Sequence, residues 1–218
     1  MWQTIKSWFK KIFTEEVPPE VVQQVQEEAK TTESPESILR NVHLREDIKV
    51  DAVRDYAETI NRYCQQLKKD IAEPATEKQQ AIATRLKQVV THGLELKNIL
   101  GQIEEHLLRP TIEALKKVET HKPELKHLLQ QAEEDQQVVI DADAALTRVI
   151  DFDTLLNPEH NPNVEQELKH ESKRRELMHA IDHLMIQLNT LADPRKSIEA
   201  RLKRHHPLQK AKELLHIE

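Results

Sequence analysis

Only two glycines, Gly93 and Gly101, occur in 218 residues, and no other feature narrows the folds open to this chain so sharply. Hairpin turns, phosphate-cradling loops and nucleophile elbows use glycine where backbone bends tightly or approaches a ligand. The sequence accordingly carries no P-loop, no dinucleotide fingerprint and no GxSxG. Strands of β-branched residues bounded by turn dipeptides are missing as well, which leaves an all-α chain as the expected fold class. Charged residues make up 32% and hydrophobic ones 38%, so narrow apolar seams are expected rather than a thick core. No enzymatic activity and no cofactor are expected.

Two long segments carry the clearest periodicity. Val53, Ala57, Ile60, Cys64, Leu67 and Ile71 alternate four- and three-residue steps, as do Ile82, Leu86, Val89, Gly93, Leu96, Leu100, Ile103 and Leu107. Between them Glu73-Pro74-Ala75-Thr76 is short enough to force antiparallel pairing, which predicts a coiled-coil hairpin over 35–109. Cys64 is read as a small apolar filler of the seam, since a buried thiol lacks the basic setting that makes a thiolate. Ser34 followed by Pro35 reads as a helix N-cap with proline in the first turn.

A second helical pair is expected over 110–192. A short helix from Pro110 to Val118 ends near His121-Lys122-Pro123, and a long one follows with Leu125, Leu128, Ala132, Val139, Ala142, Leu146 and Val149 on one stripe, which Asp135 interrupts. After a turn at 157–163, Val164 to Ala192 reads as a fourth long helix with Leu177, Ile181, Leu184, Leu188 and Leu191 facing inward. The expected architecture is an elongated antiparallel helical bundle.

Function is sought at the two ends of the chain. Both tryptophans and two of the three phenylalanines fall within the first thirteen residues. On a helical wheel Trp2, Ile5, Trp8, Phe9, Ile12 and Phe13 occupy one arc of roughly 140°, with Lys6, Lys10 and Lys11 outside it. Tryptophan suits the boundary between headgroup and acyl chain, and lysine stems can lie along apolar surface while the ammonium stays wet. Residues 1–14 therefore read as a detached amphipathic helix for an anionic membrane surface. Each lysine near such a surface adds about 1 kcal/mol, so one copy should bind weakly and several copies on an oligomer more durably. The alternatives are docking on the bundle itself or in a partner protein's groove; the absence of arginine argues against an organelle-targeting peptide. Residues 15–34, with Pro18-Pro19 and an acidic, glutamine-rich middle, read as a flexible linker.

At the other end, residues 193–218 form a basic tail of short helices. From Pro194 to Lys212 the cations Arg195, Lys196, Arg201, Lys203, Arg204, Lys210 and Lys212 face one acid, Glu199. The tail is expected either to contact an anionic surface or to neutralise acidic neighbours within the fold. Without aromatic side chains it offers no stacking platform for single-stranded nucleic acid, which is not an expected partner.

Twelve histidines invite a metal reading, most of all Glu176, His179, Asp182 and His183 in ELMHAIDH. Histidines four apart share a helix face, and Zn²⁺ takes three or four such ligands. Yet with Ile181 at the centre of the inward stripe, His179 and His183 point away from it, and the four Glu-x-x-His spacings place their histidines off the apolar stripes too. No metal site is expected. Collectively, protonation of all twelve histidines would take the formal charge from −6 to +6, so binding to anionic vesicles is expected to strengthen between about pH 7.5 and 5.5.

The layout of an amphipathic first helix followed by a helical hairpin and further helices is similar to that of membrane-remodelling scaffold proteins of the phage-shock and ESCRT-III type, a likeness of architecture. It implies a non-enzymatic scaffold that self-associates through its seams. With no continuous apolar run in the sequence, the expected location is cytoplasmic, peripheral at the inner face of a membrane. A soluble adaptor with a helical protein partner and a histidine-rich metal binder are the rival readings.

Overall fold

A computed structural model describes residues 34–72, 79–156, 171–195, 197–204 and 206–217. Most of the described residues are helical, with no strand among them. The helices are α1 (Pro35–Arg40), α2 (Ala52–Ala72), α3 (Gln79–Ile103), α4 (Arg109–Glu119), α5 (Lys126–Leu156), α6 (Glu171–Ala192), α7 (Ile198–Arg204) and α8 (Pro207–Leu214). A π turn over Glu104–Leu108 joins α3 to α4, and a 3₁₀ turn over Pro123–Leu125 leads into α5.

The seams explain the larger of two cores. Every seam residue of α2 is buried, and the α3 seam from Ile82 to Leu107 is buried with it. Helix α2 packs against α3 and α6, and α5 packs against the same two, closing a four-helix square. Lys68 pairs with Asp182 at 2.5 Å while Asn61 reaches Asn189 at 2.8 Å, so α2 and α6 run antiparallel. Cross-contacts make α3 and α5 antiparallel as well: Lys97 Nζ bonds Asp143 at 2.8 Å, and Gly93 faces Leu146. A Cβ at Gly93 would meet Leu146 Cδ2 at 3.3 Å, a tight approach that Leu146 can relieve only by shifting.

The smaller core lies at the other end of α5. Leu39 of α1, Ile112, Leu115 and Val118 of α4, Leu125, Leu128 and Ala132 around the start of α5, and Leu208 and Ala211 of α8 pack together there. Helix α5 thus serves both cores, with Ala132 in the smaller one and Val139 in the larger. The cap expected at Ser34 is present: its hydroxyl accepts the Ser37 N–H at 3.2 Å, and Pro35 occupies the first turn.

Between the two cores the helix does not stop at Pro110 but widens ahead of it. Arg109 N–H bonds the Glu104 carbonyl, five residues back. Proline lacks the N–H that would serve the His106 carbonyl and sets its ring against that group, and a widened turn opens the ladder where the conflict falls. Burial of Leu107, Leu108 and Ile112 on both sides holds the segment helical.

Candidate functional site

The expected membrane face, Trp2, Ile5, Lys6, Trp8, Phe9, Lys10, Lys11, Ile12 and Phe13, lies outside the described residues, as do Lys196 and all of the expected linker 15–34 except Ser34. Among the described residues no helix is long and apolar enough to cross a membrane. The tail can be followed in detail.

Ile198 and Leu202 of α7 enter the larger core, while Leu208, Ala211 and Ile217 enter the smaller, so the tail straps the two together. Its central contact is an ion pair. Arg201 Nη1 lies 2.5 Å from Oδ1 of Asp135, a fully buried carboxylate at the level of α5 where one core gives way to the other. Burial pushes the Asp135 carboxyl above the usual carboxylate range, and the Arg201 guanidinium only partly opposes this. Its second oxygen, Oδ2, has no hydrogen-bond partner among the described residues. The polar belt continues across α5, where Gln136 Nε2 donates to Glu104 at 3.1 Å and Glu104 pairs with Arg109 at 2.7 Å. The residue that broke the α5 stripe in the sequence therefore anchors the tail.

The other tail cations divide. Lys203 pairs with Asp51 and, at 3.3 Å, with Glu199; hydrogen bonding to Asp51 raises its pKa most. Arg195 is exposed, and its backbone N–H is held by Asp193 Oδ1 at 2.8 Å. Lys210 and Lys212 are half-buried and have no ion pair among the described residues. Arg204 ends α7. Arg201 and Lys203 thus spend their charge on carboxylates of the fold, whereas Arg195, Lys210 and Lys212 have no carboxylate partner among the described residues.

His206 has a structural task that the sequence did not reveal. Its Nδ1 accepts the Leu208 N–H at 3.2 Å and caps α8, which puts the proton of the neutral ring on Nε2, and Nε2 has no hydrogen-bond partner among the described residues. Burial, aided by the charge of Lys212, lowers its pKa to about 4. That places His206 below the window in which the histidines were expected to charge together. Protonation would convert Nδ1 from acceptor to donor and break the cap.

The metal candidates do not converge. Glu176, His179 and His183 are exposed, Glu176 is engaged by Lys173 at 3.2 Å, and Asp182 is engaged by Lys68. No group of three or more histidine, cysteine or acidic residues able to hold a metal occurs among the described residues. Cys64 is fully buried and its thiol is pushed up to about 12 by desolvation, so it fills space as the seam pattern implied.

A cleft of about 740 Å³ opens beside the strap, between the 44–52 segment, Leu107 of the π turn, and Leu202, Lys203 and His206 of the tail. Three stretches distant in sequence form it, so no local motif announces it. No family model, no curated protein and no solved structure matches the chain.

Proposed function

We propose that this chain is a non-enzymatic, peripheral membrane-binding helical scaffold, attached to an anionic surface by residues 1–14. The observation that carries this reading is the sorting of Trp2, Ile5, Trp8, Phe9, Ile12 and Phe13 onto one helical arc with lysines on the other. The exposed Arg195, and Lys210 and Lys212, which have no ion pair among the described residues, add cations that an anionic leaflet can use. Such contacts are individually weak, about 1 kcal/mol each, and suit reversible attachment.

Self-association multiplies that weak binding. The seams of α2 and α3 are buried within the chain itself, so contacts between copies fall to outer apolar side chains. Leu94, Ile140 and Ile186 stand 51%, 45% and 61% exposed on α3, α5 and α6. Lipids brominated along their acyl chains test the attachment, because Trp2 and Trp8 are the only tryptophans. Quenching of their emission by brominated anionic vesicles is expected, and emission unchanged in vesicles that the protein binds would refute insertion.

A further inference from the structure

The cleft beside the strap is walled by apolar side chains and rimmed by charge. Leu44, Ile48, Leu107 and Leu202 supply the walls, and the volume of about 740 Å³ matches pockets that enclose a compact apolar ligand, typically about 300–1,000 Å³. On the rim, Arg45 pairs with Asp47 at 2.6 Å and Lys203 pairs with Asp51. Among the described residues Glu46 and Asp55, both exposed, have no ion-pair partner, and Lys49 is the one unpaired cation of the described lining. The free charge of the rim is therefore acidic. His206 also lines the cleft.

What fills such a cleft should be apolar, aromatic in size, and cationic at its edge. Residues 1–13 have this chemistry: Trp2, Trp8, Phe9 and Phe13 on one side, and Lys6, Lys10 and Lys11 on the other, with no acid before Glu15. Reach permits it. The described chain starts at Ser34, from which the six residues of α1 span about 9 Å and the stretch from Asn41 to Leu44 at most about 14 Å. A flexible chain as long as residues 14–33 would have an end-to-end distance of about 25 Å. A tether of that length keeps the segment at a local concentration in the millimolar range, so even a weak contact is well populated.

We infer that the cleft is the lipid-free resting site of residues 1–13, where the aromatic ridge docks in cis against Leu44, Ile48, Leu107 and Leu202, with Glu46 and Asp55 facing its lysines. The cleft and the membrane then compete for one apolar face, and attachment begins with release. This deepens the membrane reading and rests on it for its purpose, but docking itself is measured without lipid.

The test uses the full chain with nitroxide labels at Lys49→Cys, on the cleft rim, and at Glu176→Cys. Antiparallel pairing of Lys68 with Asp182 and Asn61 with Asn189 puts residue 176 at the opposite end of the bundle from the cleft. Buried Cys64 leaves the labelling selective. The indole N–H resonances of Trp2 and Trp8 should broaden with the label at residue 49 and not with the label at 176, and Glu46→Lys with Asp55→Lys should abolish the broadening. Unbroadened indoles, or equal broadening from both labels, would overturn the inference; so would broadening that persists when label and isotope sit on different molecules, which would make a second copy the occupant. Docking without any vesicle binding would leave the inference standing and refute the membrane reading instead.

Discussion

The two cores share one helix and are built in opposite ways. The larger core is made of long helices whose apolar residues recur every three or four positions, so each helix buries a stripe against two neighbours. In the smaller core, short helices opening with proline, α1, α4 and α8, are packed around the start of α5. A long helix with a continuous seam gains enough burial to define itself, whereas a six- or eight-residue helix cannot outweigh nucleation without its neighbours. The smaller core is therefore expected to depend on the strap that ties it to the larger.

The sharpest way to break that dependence is Arg201→Ala. It leaves the Asp135 carboxylate buried without its partner, and loss of one member of a buried pair costs about 3–5 kcal/mol. Chemical denaturation should show this loss, with the smaller core released first; Asp135→Asn, which removes the charge as well, should cost less. Because the Asp135 pKa is raised in the folded state, its contribution to stability is present below the ordinary carboxylate range and is lost as pH rises through the folded value.

Truncation compares the cores directly. Leu100→Ala in the larger core and Leu128→Ala in the smaller should each cost about 2–5 kcal/mol locally. Amide exchange separates them: Leu100→Ala is expected to speed exchange throughout α2, α3, α5 and α6, and Leu128→Ala chiefly in α4 and α8. Uniform acceleration by both would make the two cores one cooperative unit.

A smaller effect comes from His206. Its folded pKa, lowered from 6.5 to about 4, means that its neutral form stabilises the fold above pH 6.5 and that this contribution disappears as pH falls towards 4. Protection of the α8 amides should fall over that interval, and His206→Asn, which can cap without titrating, should flatten the response.

The smallest effect lies within the larger core. Gly101 is exposed in the interior of α3 with nothing within 4 Å of where a Cβ would stand, so Gly101→Ala should stabilise by about 1 kcal/mol. Gly93→Ala should gain less, because Leu146 Cδ2 must yield.

These differences follow what could be read in the sequence. The seams from Val53 to Ile71 and from Ile82 to Leu107 were legible because period alone names the buried face, and the Ser34-Pro35 cap because its signal is local. Pro110 was legible as a disturbance but not as a π turn, since the burial of Leu107, Leu108 and Ile112 that sustains the helix is tertiary. Asp135 stood out as a polar residue on an apolar stripe; its partner lies 66 positions away, and nothing in the local pattern of the tail separates Arg201 from its neighbours. The cleft was invisible for the same reason, being assembled from the 44–52 segment, the π turn and the tail.

Attachment through the first fourteen residues is tested most directly by cosedimentation with anionic vesicles, comparing the full chain with one that begins at residue 15. The full chain should pellet with the vesicles while the shortened chain stays largely in the supernatant. Equal pelleting of the two would contradict the account.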